Sequence, residues 1–255
     1  MRPQLGSSYK SASQRARVIS ESWAAENLYC PACACNSLGK LAANTKSIDF
    51  ECLRCSSGFQ LKSASRKFGE CINDGAYTAM RQTILSGRTP SLFMLHYDLA
   101  SWTVQNLTIV PSFAFTLSCL QRRAALSVTA ERAGWVGCNI LISSIPQDAR
   151  IQVVSDGAEE KREKVRRKFK LLRPISELNA MQRGWTLDVL NVVRSLKKNI
   201  FDLSEVLGSS DELQQLHPEN RHVEAKVRQQ LQRLRDLGLI EFVNNRGTYK
   251  LRRID

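Results

Sequence analysis

The 255-residue chain has no apolar run approaching the roughly 18 residues of a membrane span. Its opening stretch, MRPQLGSSYKSASQRARVIS, carries basic side chains but no apolar h-region, so it does not read as a signal peptide. Together these absences predict a cytoplasmic protein with reduced thiols and no membrane partner. Histidine is scarce: His96, His217 and His222 are scattered without ligand spacing and are assigned no chemistry. Acid is also in short supply, with 24 Asp/Glu against 37 Lys/Arg and a formal net charge of +13. That imbalance points to a polyanionic partner, nucleic acid before a membrane surface, and no amphipathic basic anchor supports the membrane. Internal repeats and low-complexity tracts are absent as well.

The length suits one or two domains with a real core. Charge is uneven: residues 184–255 hold 12 basic and 10 acidic residues, whereas residues 1–183 hold 25 and 14. The run EEKREKVRRKFKLLR over 159–173 is either a solvated helix face or a phosphate contact. Periodicity predicts a helix over 11–28, strands over 47–51 and 58–63, and a loop ending at Asn73-Asp74-Gly75. A helix over 76–85 follows, then strands over 92–97, 103–110, 138–142 and 151–155, with residues 121–137 irregular. This is an α/β domain over residues 1–180. A linker over 174–183, bounded by Pro174 and Gly184, leads to a second domain over 184–255. There, helices over 186–196, 203–216 and 222–237 precede a hairpin with a turn at Asn244-Asn245-Arg246-Gly247. Three helices and a hairpin make a winged helix-turn-helix.

Eight cysteines in a reducing compartment indicate metal rather than disulfides. Cys30, Cys33, Cys52 and Cys55 form C-x2-C, an 18-residue gap, and C-x2-C. Each C-x2-C turn presents two sulfurs about 3.7 Å apart, and two such turns close a tetrahedral, structural Zn²⁺ site. Cys35 is a bystander. Cys71, Cys119 and Cys138 read as small buried hydrophobes.

Threaded through the cysteines is a second pattern, Asp49 followed by Gln60-Leu61-Lys62. On a strand, Gln60 and Lys62 project to one face. With Asp49 on the neighbouring strand, a carboxylate and an amide oxygen suit Mg²⁺, and the lysine suits an attacking water and a phosphate. Taken alone, these are ordinary strand residues.

Two further groups suit DNA. On the 222–237 helix, Val223, Val227, Leu231, Leu234 and Leu237 form an apolar stripe opposite Ala225, Arg228, Gln229 and Gln232. Arg and Gln reach guanine and adenine edges in the major groove. Arg221, Lys226 and Arg233 flank that face for phosphates, and Arg246 sits at the wing tip. Trp135, close to Arg132 in a basic, glycine-flanked segment, reads as a loop aromatic whose face can pack against an apolar base substituent.

The run from Cys30 to Lys62, the segment Ile72-Asn73-Asp74-Gly75-Ala76-Tyr77, the segment from Arg132 to Asn139, and Arg228-Gln229-Gln230-Leu231 together resemble the DpnI-type restriction endonucleases. That resemblance spans nearly the whole chain in order. It implies a PD-(D/E)xK nuclease domain carrying zinc, followed by a winged helix, acting on GATC with N6-methyladenine. It also implies a monomer that binds double-stranded, adenine-methylated DNA and uses Mg²⁺ held by Asp49, Gln60 and the Leu61 carbonyl. Asp49 and Lys62 match the family's catalytic pattern; Gln60 departs from it, since an acid is usual there. Two readings follow: a methyl-directed type II endonuclease, or a zinc-containing winged-helix regulator whose nuclease site has decayed at Gln60.

Overall fold

The computed structural model describes residues 1–42, 48–244 and 247–252, with only the backbone of Asn244. The amphipathic N-terminal stretch forms α1 (Ala12–Asn27). Short strands β1 (Gly39–Lys40) and β2 (Phe50–Glu51) precede β3 (Gly58–Ala64), β4 (Cys71–Ala76) and α2 (Tyr77–Leu85). Next come β5 (Ser91–Tyr97), β6 (Val104–Val110), β7 (Leu120–Ala125), β8 (Val136–Leu141), β9 (Ile151–Ser155), β10 (Ala158–Glu159) and α3 (Arg162–Leu172). The C-terminal part holds α4 (Ala180–Ser195), β11 (Ile200–Asp202), α5 (Leu203–Leu207), α6 (Ser210–Leu216) and α7 (Val223–Asp236). The hairpin strands β12 (Ile240–Asn244) and β13 (Thr248–Leu251) end it.

The chain divides into two units, the first made of residues 1–69, 90–112 and 149–170. Its sheet runs β1-β2-β3-β5-β6-β9-β10. Only the β3–β5 pair is parallel, from Phe59 opposite Ser91 to Ala64 opposite His96. Phe50, Phe59, Phe93, Leu95 and Ile109 are almost wholly buried, each contributing about 1.5–3 kcal/mol of apolar burial. Helix α1 buries Ile19 and Ala24 and is registered on β3 by a Ser20 Oγ–Ser63 Oγ hydrogen bond of 2.9 Å. Helix α3 buries Val165 and Phe169.

The second unit comprises residues 70–89, 113–148 and 171–255. It contains the antiparallel sheet β4-β8-β7 and the wing sheet β11-β13-β12. Helix α4 starts at a capping box, with the Asn179 side chain accepting from Gln182 N at 2.9 Å. Its Asp188 is buried and accepts from Ser118 Oγ at 2.6 Å and pairs with His217 Nε2 at 2.8 Å. The His217 ring stacks on Trp185, centroid to centroid 3.9 Å. Val223, Val227, Leu231 and Leu234 form the buried stripe of α7, as their spacing predicts.

Several expectations change. Residues 174–183 are not a linker: a 3-10 turn spans Arg173–Glu177, and α4 begins at Ala180. Within it, Arg183 is buried and donates to the carbonyls of Leu178 and Ile84, at 2.9 and 3.3 Å. Asn73-Asp74-Gly75 lies within strand β4, and part of the basic 121–137 stretch is strand β7, because both pair with β8. Strand β11 was not apparent from periodicity, being only three residues long. Cys119 and Cys138 are buried, but Cys71 is exposed.

Because Asp188 is itself buried and satisfies two partners at once, Asp188→Ala should destabilise the fold by about 3 kcal/mol. Asp188→Asn should cost less, as urea denaturation followed by tryptophan fluorescence would record.

Candidate functional site

The cysteine array closes as its spacing predicts. Cys30, Cys33, Cys52 and Cys55 place their sulfurs within 4.8 Å of one another, with 3.6 Å from Cys30 to Cys55 and 3.6 Å from Cys33 to Cys52. These separations fit the edges of a zinc–thiolate tetrahedron of about 3.7 Å. Burial pushes the Cys30 thiol up, while hydrogen bonds from Ser57, acting against burial, hold Cys55 down to about 7. Four buried or adjoining thiols cannot all ionise without a cation, and a divalent ion meets that demand. Cys35 stands outside the cluster: its amide donates to Cys33 Sγ at 3.4 Å, and its thiol donates to the Ser37 carbonyl.

The knuckle is held from outside by Arg166 of α3. Its Nε donates to the Cys30 carbonyl at 3.2 Å, and its Nη2 donates to the Cys35 carbonyl at 2.8 Å and to Asn36 Oδ1 at 3.0 Å. Arg162 and Arg166 also lie over the Tyr29 ring, at 4.7 and 5.2 Å. Arg166 is therefore committed to the knuckle, a structural role that charge counting cannot distinguish from phosphate binding, whereas Arg162 remains exposed.

Asp49 and the Gln60-Leu61-Lys62 strand come together. Asp49 N donates to the Phe59 carbonyl at 2.9 Å, and Asp49 Oδ2 accepts from Leu61 N at 2.7 Å. The side chain thus takes a ladder position between Gln60 and Lys62 and is fixed to their backbone. Asp49, Gln60, Leu61 and Lys62 are all half-buried. Burial pushes the Asp49 carboxyl above the usual carboxylate range; the Leu61 amide opposes this and the Glu21 carboxylate adds to it. The Arg17 guanidinium and the Lys62 ammonium pull the other way. Among the described residues, the four cysteines form the only group of three or more ionisable metal donors. Asp49 and Gln60 offer only oxygen donors, which could hold Mg²⁺, an ion that keeps several waters.

In the second unit, Arg228, Gln229 and Gln232 are exposed on α7, opposite its buried stripe, and Arg221 is exposed just before the helix. Lys226 donates to Gln229 Oε1 at 2.8 Å, and Arg228 lies 3.6 Å from Glu224 one turn earlier. Arg233 is half-buried and donates to Gln230 Oε1 at 3.3 Å, so it is tied to the core rather than extended to a phosphate. Gln230 itself is buried against Thr186 Oγ1 at 2.8 Å. Arg246 lies outside the described residues.

Trp135 sits at the end of the loop between β7 and β8, closed by Leu126 N to the Trp135 carbonyl at 2.9 Å. Its indole is half-buried, with the Arg132 guanidinium 4.8 Å from the ring centroid. A Cβ on Gly137 would stand 2.7 Å from Trp135 Cη2 and 2.8 Å from Cζ3. The ring therefore rests on the Gly137 backbone, a position only glycine permits.

Comparison with family models settles the kinship. The model of the Dam-replacing family (DpnI) matches residues 1–178, and that of the Dam-replacing HTH domain matches residues 181–251. The chain belongs to the Dam-replacing (DpnI) family. The DpnI-family architecture is thus a mixed α/β part carrying the four-cysteine cluster, followed by a DNA-binding helix-turn-helix part with a small wing sheet. Among the described residues, no helix is long and apolar enough to cross a membrane.

Two residues near these sites escaped the sequence reading, Glu21 and Arg166. Glu21 is one acid within an ordinary polar helix, and only packing shows that Arg17 and Lys40 converge on it.

Gly137→Ala should push the indole off its seat and red-shift Trp135 emission. Trp135→Phe in the same background isolates that signal, and an unchanged spectrum would mean that the ring does not depend on Gly137.

Proposed function

We propose that this DpnI-family protein is a Mg²⁺-dependent type II endonuclease that cuts double-stranded DNA at adenine-methylated sites, Gm6ATC in the family pattern. The observation that carries this reading is the 2.7 Å bond from Leu61 N to Asp49 Oδ2, which pins a carboxylate between Gln60 and Lys62. Residues 1–180 act as the nuclease domain and residues 184–255 as the winged helix. The protein works as a monomer in solution.

Asp49, Gln60 and the Leu61 carbonyl would hold Mg²⁺, which when bound offsets charge on the phosphate and acidifies water. Lys62 orients the water for in-line attack and faces the phosphate's charge. The water adds to phosphorus, the P–O3′ bond breaks, and the ends carry 5′-phosphate and 3′-hydroxyl. The four thiolates hold Zn²⁺ in a closed site, so zinc has a structural role and takes no part in the cut.

Arg228, Gln229 and Gln232 read base edges, with Arg221, Lys226 and Arg246 on phosphates. Trp135, steadied by Arg132 and Gly137, offers an apolar face that gains from burying an N6-methyl group, about 0.8 kcal/mol per buried carbon. Two reading elements joined in one chain bind together more tightly than either alone. Such an enzyme acts in restriction of methylated foreign DNA in a cell whose own sites are unmethylated.

One observation favours a second reading: Gln60 stands where the family places an acid, and an inactive site would leave a reader of methylated DNA.

The deciding experiment incubates adenine-methylated and unmethylated GATC plasmid with the protein and Mg²⁺. Cutting of the methylated plasmid alone is expected, with a loss of about a hundredfold or more in Lys62→Ala. Gln60→Glu should lower the Mg²⁺ needed, and Trp135→Ala should reduce the preference for methylated DNA. Methyl-dependent binding without any cutting would favour the reader.

A further inference from the structure

The sheet β4-β8-β7 has one apolar face and one polar face. Ile72 of β4 and Cys138 and Ile140 of β8 are buried, and α2 packs against the three strands. Asn139 lies between Cys138 and Ile140 and so faces the other way. The register sets Asn73 and Gln121 directly opposite it, one on each side, and both are exposed. We propose that Gln121 donates a hydrogen bond to N7 of the methylated adenine while Asn139 caps the glutamine oxygen, so that the pair favours N6-methyladenine over adenine. This rests on the reading of Trp135 as the contact for the methyl group.

The two amides are joined in one direction. Asn139 Nδ2 donates to Gln121 Oε1 at 2.9 Å, and among the described residues neither side chain makes another hydrogen bond. Asn139 Oδ1 is shielded from solvent and has no partner. An unbonded buried oxygen costs free energy, so the geometry of Asn139 is set by its donor, which serves Gln121. What remains unbonded on Gln121 is Nε2, a donor.

The indole lies beside these amides. Gly137, two residues before Asn139 on β8, seats the Trp135 ring, and a Cβ there would also stand 3.5 Å from Arg123 Cδ. Gly137 and Gln121 are diagonal neighbours on one face, about 7–8 Å apart. That interval suits the edge of a single base between them. Arg122, Arg123 and Arg132 are exposed around it and match the charge of DNA, and a ribbon such as β7–β8 fits the major groove.

Adenine shows an N7 acceptor and an N6–H donor in the major groove, and a free amide engages both. In paired N6-methyladenine the remaining N6–H faces thymine. The groove side then keeps N7 and gains a methyl group. An amide with its oxygen engaged and its nitrogen free matches that N7, and an indole face matches the methyl.

The rival is a cross-strand amide pair that only braces the sheet. The two roles part in a chemical double-mutant cycle, read as equilibrium binding by the zinc-loaded, full-length protein. Wild type, Gln121→Ala and Gln121→Glu each meet a duplex with N6-methyladenine and one with N6-methyl-7-deazaadenine, in which carbon replaces N7. Asn139→Ala is compared with wild type on methylated and unmethylated duplexes. Urea denaturation of every variant and incubation of every duplex with Mg²⁺ accompany the titrations.

Loss of N7 should weaken wild type about fivefold or more and change both Gln121 variants by less than about twofold. Asn139→Ala frees the glutamine oxygen for N6–H and should narrow the methylated-to-unmethylated ratio about fivefold. No N7 penalty in wild type, or an equal one in the Gln121 variants, would overturn the proposal. Gln121→Ala that binds both duplexes as wild type does but unfolds at lower urea would make the amides a brace. An unchanged ratio in a folded Asn139→Ala would remove the cap. If methylated DNA is cut while Gln121→Ala keeps the wild-type N7 penalty, the nuclease reading stands and this proposal falls. If the N7 coupling is found and nothing is cut, the base contact stands and the nuclease reading falls.

Discussion

The candidate centre depends on a cross-link between segments that cannot hold themselves. Strands β1 and β2 are two residues each, far too short to be stable on their own. Cys52 and Cys55 lie in the turn that joins β2 to β3, and Cys30 and Cys33 follow α1, so closing the four-thiol cluster ties helix, turn and hairpin at one point. Asp49 stands three residues before Cys52, and Gln60 five after Cys55. Positions on both arms of a clamped turn are held in register, and the Leu61 N–Asp49 Oδ2 bond then sets the carboxylate's orientation. Arg166 completes the clamp by satisfying the knuckle's carbonyls. Without a large apolar contribution from such short strands, a metal is the economical brace.

On this brace sits a small set of charges in tension. Asp49 is pushed up by burial and by Glu21, and drawn down by the Leu61 amide, Arg17 and Lys62. Opposed influences of this kind on one carboxylate are common at functional sites. The groups proposed to read DNA belong to the second unit and follow different physics. The α7 face is presented by a rigid helix whose opposite side is packed, and Trp135 is held by a loop and a glycine seat. Rigid presentation lowers the entropy lost on binding, so the contact proposed for Trp135 need not be large to discriminate.

Much of this was legible in the sequence because it rests on short-range rules. Paired C-x2-C spacing is a local chelate, the α7 stripe is a helical period, and i, i+2 alternation puts Gln60 and Lys62 on one face. The four cysteines and the buried Val223, Val227, Leu231 and Leu234 accordingly lie where the spacing puts them. What stayed hidden depends on partners remote in sequence. Strand β7 is basic and exposed beyond Leu120, and it forms because β8 pairs with it. Arg183 looks like a linker cation until Ile84 supplies a carbonyl 99 positions away. Arg166 reads as a phosphate ligand until the knuckle 131 to 136 positions earlier claims it. Glu21 is silent until α1 docks on β3. The departure at Gln60 was plain from the sequence, but the pairing of Glu21 with Lys40 of β1 was not.

The most direct test of the account is to compare zinc-loaded protein with protein stripped of zinc and with Cys33→Ser, measuring metal content, methylated-DNA binding and cutting together. The account predicts about one zinc per chain, lost in both treated forms, with cutting abolished and binding by the winged-helix part retained. Undiminished cutting by protein whose four thiols hold no metal would contradict it.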